Sequence, residues 1–440
     1  LDTIIIDNLT VDFLGEGLSP SGKKVAFPYA LPGDEIEVEF VKRKRQRKKM
    51  IVHGYLKRKE WEGVHCKHFG ACGGCAAQHI SYEEQLRIKF DPVIASFAEE
   101  IGLTLTAVPA EDPYHYRSRM DFSVFPGRLG LRAKGNFRHV VNVESCSIQS
   151  EWADEETNRV HSLLKEFPEI AWNRREESGG GLKYVTIRKA KFTDESITIF
   201  TFTEGYETNP LHDLFLKRCS ESLLATNLVF CYNRVKAEVS AQGRFTVLRG
   251  KEGYYESILG NKFFIPFDSF FQPNPKGFLP ILSFVQKVLP ENKTRLIDLF
   301  CGNGFFSILF GKGFSEIHCY ELTPSSVETA KRLLNEKYPE SQIHAEVVNL
   351  FSDVTGLQSA QDACLVLDPP RAGCGPKVAE WIRDHGPKNV FYVSCNPYSQ
   401  KEDAKVLLST YEAKSGILTD PYPHTPHMES VIHFQRKDNP

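Results

Sequence analysis

Four hundred and forty residues make about three domains at roughly 150 residues apiece, and 41% hydrophobic with 25% charged residues excludes a disordered or fibrous chain. The formal net charge of −2 excludes a uniformly basic coat for nucleic acid, yet residues 42–59 hold ten Lys or Arg and no Asp or Glu. No stretch reaches the roughly 20 apolar residues of a membrane span, and the longest candidate, Phe278–Val285, is broken by Pro280, so no membrane partner is expected.

No signal-peptide pattern precedes the strand-like run Ile4-Ile5-Ile6. Thr3–Val11 and Lys24–Phe27 read as strands, and Leu31-Pro32-Gly33-Asp34 reads as a turn. Ile36, Val38 and Phe40 then alternate with Glu35, Glu37 and Glu39, the period-two pattern of a half-buried strand. Five short strands in under sixty residues predict a small β-barrel of the oligonucleotide-binding type over residues 1–58. The run Lys42–Lys49, basic at seven of eight positions, falls at a hairpin tip, where phosphate contact is favoured over a merely solvated loop.

Eleven cysteines, an odd number scattered along a long chain, argue against a disulfide framework and for a cytoplasmic protein. Cys66, Cys72 and Cys75 are set in C-x5-C-x2-C with Gly73-Gly74 between the last two, and a helix-like stretch follows at Tyr82–Phe90. Three close thiols need a fourth ligand, and Cys146, after the strand-like Val140–Val143, is the next cysteine. Four thiolates suit a 4Fe–4S cluster or zinc, and spacing separates the two only weakly. Strand-like runs at Met120–Val124, Leu129–Arg132, Tyr184–Arg188, Ile197–Thr203 and Val229–Asn233 make residues 59–260 a central α+β domain, with Ser178-Gly179-Gly180-Gly181 read as a flexible turn.

From residue 261 to 440, apolar strands alternate with helical stretches: Leu296–Phe300, Ile317–Tyr320, Ile343–Val348, Cys364–Leu367 and Val390–Val393. This pattern predicts a parallel, Rossmann-like α/β sheet. The first strand ends in Gly302-Asn303-Gly304, a turn that lets a cofactor approach the backbone. Glu321 ends the second strand, where a carboxylate accepts both hydroxyls of a ribose. The third glycine of a dinucleotide fingerprint is absent, which favours S-adenosylmethionine over NAD. Asp368-Pro369-Pro370-Arg371 follows the fourth strand, and Ser394-Cys395-Asn396-Pro397 follows the fifth, just ahead of a helix near Gln400–Leu408. A helix amino terminus is expected to lower the Cys395 thiol and make it a nucleophile. Glu429, in His427-Met428-Glu429-Ser430, enters the last strand as a candidate base.

Phe271-Gln272-Pro273-Asn274, Asp298–Gly302, Asp368–Gly373, Ser394–Pro397 and His427–Ser430 together resemble the RNA uracil-5-methyltransferase family. The resemblance covers essentially the whole chain and is tightest over 261–440. The cysteine cluster and the amino-terminal barrel, there called a TRAM domain, resemble the 23S ribosomal RNA branch. It implies a class I methyltransferase domain with Cys395 as nucleophile and Glu429 as base. Gln272, Phe300, Glu321, Asn349 and Asp368 would line the cofactor and uracil pockets, and Cys66, Cys72, Cys75 and Cys146 would hold a 4Fe–4S cluster. Ribosomal RNA is the first partner it implies and transfer RNA the second, acted on by a monomer. Phe305 departs from the family pattern, standing after the G-x-G where a polar residue is usual.

Three rivals fit less well. Amino-group methyltransferases usually place an aromatic residue after D-P-P, where this chain has Arg371, and they need no Cys395. The motifs of RNA cytosine-5 methyltransferases are not found. An inactive iron–sulfur RNA-binding descendant would have no use for an intact Cys395, Glu429 and Asp368.

Overall fold

The computed structural model describes residues 1–42, 48–61, 63–173, 178–291, 293–358 and 362–438. The chain forms two compact units, one made of Leu1–Ile88, Asp112–Pro275 and Pro423–Pro426, the other of Lys89–Glu111, Lys276–Tyr422 and His427–Pro440. Among the described residues no helix is long and apolar enough to cross a membrane.

The first unit opens with β1 (Asp2–Leu9), β2 (Leu14–Leu18), β3 (Lys24–Pro28), β4 (Glu35–Lys42) and β5 (Lys48–Lys57), an antiparallel sheet ordered β3-β2-β1-β4-β5. Period-two alternation delivers Ile4, Ile6, Ile36 and Val38 to one core with Phe27 and Ala30, and Phe40 packs at its margin. Lys42 pairs with Lys48 across the β4–β5 ladder. The hairpin tip between them, residues 43–47, lies outside the described residues, and with it most of the basic run.

The same unit carries a seven-stranded mixed sheet, in spatial order Arg244–Arg249, Asn227–Asn233, Ser196–Thr203, Leu182–Lys189, Arg119–Phe125, Arg128–Ala133 and Asn136–Asn142. Its three strands Leu182–Lys189, Ser196–Thr203 and Asn227–Asn233 are buried along almost their whole lengths. The Ser178–Gly181 stretch is no flexible turn. Ser178–Gly179 pairs with Trp172–Asn173, and a Cβ on Gly180 would sit 2.0 Å from the Ile170 carbonyl, so the glycines permit close backbone approach.

The second unit is an eight-stranded sheet. β6 (Arg295–Leu299), β7 (Glu316–Glu321), β8 (Gln342–Val347), β9 (Cys364–Leu367) and β10 (Asn389–Ser394) run parallel in the order β8-β7-β6-β9-β10. β12 (Glu429–Arg436) inserts antiparallel between β10 and β11 (Tyr411–Thr419). The five parallel strands match the sequence expectation. The far edge does not: Thr106–Val108, from much earlier in the chain, pairs in parallel with β11.

Helix α1 (Tyr82–Glu100) runs ten residues beyond its expected end at Phe90. Pro92 removes one donor and reads as a stop in sequence, yet Phe90, Val93 and Phe97, each at most 3% exposed, carry the helix past it. Lys89 of α1 is fully buried and its Nζ lies 2.6 Å from Asp420 Oδ1, itself fully buried just after β11. Burial pulls the Lys89 pKa down and Asp420 opposes that. Asp420 Oδ1 also accepts the Tyr422 amide at 3.2 Å, while Oδ2 has no hydrogen-bond partner. Lys89→Met leaves a buried carboxylate alone and should cost about 3–5 kcal/mol, with the Lys89→Met/Asp420→Leu double variant recovering much of it. Denaturant midpoints of the three proteins check this; equal midpoints for the single and double variants would remove the pair's assigned role.

Candidate active site and a cysteine-lined cavity

The site of the second unit is built at the carboxyl edge of its parallel strands. Asp298, on β6, is fully buried and its Oδ2 accepts the amide and hydroxyl of Ser307 at 3.1 and 2.7 Å, which fastens the turn Phe300–Gly304 to the strand. Phe300 has φ +61°, a left-handed conformation costly for a large side chain. Gly302 and Gly304 also have positive φ, and a Cβ on Gly302 would meet nothing within 4 Å, so this turn presents open backbone at the strand end. Phe305 begins the short helix Phe305–Phe310 and packs on Phe278 and Phe306, an apolar role for the position where the family pattern has a polar residue.

Glu321 stands at the end of β7, as its spacing predicts. Its Oε2 accepts the Gly302 amide at 3.3 Å and its Oε1 the Thr323 amide at 3.0 Å, which aims the carboxylate along the turn. Asn349, exposed beyond β8, accepts the Phe351 amide at 3.2 Å. Phe351 was not singled out by sequence. It is 46% exposed, and its ring lies 5.7 Å from that of Phe300. With the exposed Leu322 and Val347 it makes an apolar margin beside Glu321. A carboxylate, an open glycine turn and an apolar margin fit a ribose, a chain terminus and a purine in turn, the parts of S-adenosylmethionine. The signal that could have found Phe351 is a phenylalanine placed four residues past a strand end, close after Asn349.

The D-P-P-R loop after β9 and the S-C-N-P loop after β10 are tied together. The Arg371 carbonyl accepts Asn396 Nδ2 at 2.9 Å and Ser399 Oγ at 3.1 Å. Register supplies the third piece: Ser394 of β10 pairs with Ser430 of β12, so Glu429 enters its strand beside the loop that carries Cys395. Ser430 Oγ donates to Gln400 Oε1 at 2.7 Å, locking β12 to helix α2 (Pro397–Leu407). Cys395 is partly exposed, Asp368 partly buried and Glu429 buried.

The electrostatics differ from the sequence expectation. Burial pushes the Cys395 thiol up, and the charges of Glu429 and Asp368 push it further, whereas Arg371 pulls it back by charge and a hydrogen bond. Asn396, the residue after Cys395, caps α2 by accepting the Tyr398 amide on its side-chain oxygen at 3.3 Å. Burial, then Asp298, raises Asp368 to about 7. Burial, then Asp368, raises Glu429 well above the carboxylate range, with Arg371 opposing. A carboxylate with a raised pKa is the stronger base once deprotonated. Arg371 Nη2 also lies 2.5 Å from His427 Nδ1.

Gln272 belongs to the first unit, unlike the other predicted cofactor and catalytic residues. Its segment is held by Ser118, whose amide and hydroxyl donate to the Pro273 carbonyl at 2.7 and 2.9 Å. The four predicted cysteine ligands also lie in the first unit and line one cavity of about 800 Å3. All eleven cysteines are free thiols. Gly74 N–H and Gln78 Nε2 donate to Cys72 Sγ and Cys75 Sγ, each at 3.4 Å. Tyr29, just after β3, donates to the Cys72 carbonyl at 3.1 Å. Burial first, and then the other cysteines, push Cys75 up to about 12; Cys146 rises to about 11 mainly through burial. Four convergent thiols with N–H···S donors, destabilised as anions by one another, fit a cationic iron–sulfur group that would reverse that penalty.

Arg371→Gln should move the Cys395 thiol to higher pKa and slow its alkylation at neutral pH, while Glu429→Gln should move it down. Peptide-resolved alkylation of Cys395 against pH reads both; unmoved profiles would deny these side chains control of the thiol.

Known proteins show the same organisation. The tRNA (Uracil-5-)-methyltransferase family model matches residues 257–437. An RNA methyltransferase of Leptospira interrogans is 40% identical, over 97% of this chain and 96% of that protein. The tRNA (uracil(54)-C(5))-methyltransferase of Pyrococcus furiosus is 30% identical over 94% of this chain and 95% of its own. The crystal structure of the Pyrococcus abyssi tRNA (uracil-54, C5)-methyltransferase with S-adenosyl-L-homocysteine superposes with a TM-score of 0.75, at 25% identity, over 98% of this chain and 100% of that one. With a methyltransferase α/β fold and an open glycine turn beside Glu321, the chain belongs to the RNA uracil-5-methyltransferase family, enzymes that carry out S-adenosylmethionine-dependent methylation of uracil carbon 5 in RNA.

Proposed function

We propose that this enzyme methylates its uridine through a covalent adduct between Cys395 and carbon 6 of the base. The observation that carries the reading is the meeting of Cys395, Glu429, Asp368 and Arg371 at adjacent strand ends, held by the Arg371 carbonyl and the Ser394–Ser430 register. The Cys395 thiolate adds to carbon 6 and leaves carbon 5 electron-rich. S-adenosylmethionine, when bound, supplies the methyl group that carbon 5 takes. Glu429 then removes the carbon 5 proton, and elimination expels Cys395 as thiolate. Arg371 favours that anion, and Asp368, near its raised pKa of about 7, hydrogen-bonds the uracil edge. Phe300, Glu321 and Asn349 hold the cofactor.

The target base must leave its stack to reach such a site. We assign the amino-terminal sheet to a TRAM-type barrel over residues 1–58, whose basic run Lys42–Lys49 grips RNA phosphates. Residues 59–260 form the cluster domain and 261–440 the methyltransferase core. Cys66, Cys72, Cys75 and Cys146 hold a 4Fe–4S cluster that pins the cysteine segment to the seven-stranded sheet and takes no part in methyl transfer.

Ribosomal RNA is the substrate to which the sequence resemblance points. Transfer RNA is the second reading, favoured because relatives named for transfer RNA uridine 54 match over the barrel and cysteine segments as well. Those segments therefore do not separate the two branches. Mapping 5-methyluridine in ribosomal and transfer RNA after incubation with the enzyme decides between them.

Cys395→Ala should abolish methylation and form no RNA adduct. Glu429→Gln should transfer one methyl group and stall, leaving protein joined to methylated RNA through denaturing electrophoresis. Methylation by Cys395→Ala would falsify the covalent route, and normal turnover by Glu429→Gln would move the base to another residue. Anaerobically purified protein should be brown and carry about four irons per chain; stoichiometric zinc without visible absorbance would overturn the cluster.

A further inference from the structure

A second group of ligand-type side chains stands near the amino ends of β6–β8, on the edge of the sheet away from the cofactor turn. Glu316 and His318 are two apart on β7 and so share one face. The parallel register sets His344 of β8 beside His318 and Arg295 of β6 beside Glu316. Glu316, His318 and His344 each bring a ligand atom within 4.8 Å of the other two. His318 Nε2 lies 3.1 Å from Glu316 Oε2, and the two imidazoles stack with centroids 4.4 Å apart. The His318 side chain is only 5% exposed, and His344 faces solvent. A buried imidazole with its Nδ1 lacking any hydrogen-bond partner is a poor choice for packing alone.

We propose that Glu316, His318 and His344 form a site for a divalent transition-metal ion of the zinc type, which clips the edge strand β8 to β7. Two imidazoles and a carboxylate are a borderline donor set that prefers zinc, copper or nickel to magnesium or calcium. Three protein ligands leave a fourth position for water. The mechanical need is visible in β8: it is the outermost strand, with Gln342, His344, Glu346 and Val347 all exposed, so little apolar burial fixes its register. A one-residue slip would turn His344 to the other face, and a bound ion forbids that slip. Asn349 and Phe351 follow directly on β8, so the clip steadies the strand that leads to the cofactor margin.

Arg295 sets the affinity. Its Nε and Nη2 lie 2.7 and 2.6 Å from Glu316 Oε2, so its charge competes with an incoming cation for the carboxylate. This gives two variants with opposite outcomes. In the full chain with its iron–sulfur cysteines loaded, Zn2+ should bind at one site by calorimetry and raise the unfolding temperature. Cu2+ as a spectroscopic probe should show coupling to two imidazole nitrogens and no sulfur ligand. His344→Ala, at an exposed position, should lose both signals, and Arg295→Gln should tighten Zn2+ binding. Absence of Zn2+ binding to the parent chain, or binding that survives His344→Ala, would overturn the proposal; an Arg295→Gln variant that folds and binds no tighter would refute the competition.

Discussion

The catalytic geometry depends on one constraint, the register of a reversed strand. β12 runs antiparallel between β10 and β11, so residues of two strand ends and one strand start share an edge. Side chains alternate with period two, and a slip of one residue would move Glu429 to the opposite face of the sheet. The sheet resists that slip on both flanks of β12, and again through Ser430, bonded to Gln400 of α2, and through the buried Lys89–Asp420 pair just before the segment that leads into β12. None of these groups touches the chemistry, but each limits where Glu429 stands.

Precision of this kind brings electrostatic cost. Asp298, Asp368 and Glu429 are carboxyl groups in or near low-dielectric surroundings, and each has its pKa raised. Nearby carboxylates cannot all ionise cheaply, and their charge works against the Cys395 thiolate. Arg371 answers both problems. It is exposed enough to stay solvated, it favours the thiolate, and it moderates Glu429. Phe300 adds backbone strain at the same edge, which surrounding structure must hold in place. The site is thus a region of stored unfavourable energy stabilised by the buried sheet beneath it.

Much of this was legible in sequence because the determining signals are local. Apolar runs between turn motifs give the parallel strands, and G-x-G, D-P-P-R and S-C-N-P lie at their ends because strand ends are where glycine and proline are tolerated. Three features were not legible, for physical reasons. The length of α1 is set by what Val93 and Phe97 pack against, which overrides the helix-stopping preference of Pro92. The glycines at 180 and 181 read as flexibility, yet they answer to backbone and Tyr206 atoms that only the fold brings near. The thiol of Cys395 is pushed up by burial and then by Glu429, thirty-four residues away in sequence. Local sequence describes an element; it does not describe its neighbours.

The second unit is not a continuous stretch of chain. It takes Lys89–Glu111 from ahead of most of the first unit, including the edge strand Thr106–Val108 and Lys89 itself. During synthesis that early segment leaves the ribosome some three hundred residues before β11 and Asp420, its partners. Until they arrive, an unpaired strand and a lysine destined for burial wait in solvent, so the last unit of the enzyme to close is also the one whose first piece was made early. Removing residues 89–111 and keeping only the region matched by the family model would strip β11 of a neighbour and leave Asp420 buried without its cation. The methyltransferase core is therefore bound to the rest of the polypeptide by topology, and a gene fragment encoding it alone would be born with an open edge prone to aggregation.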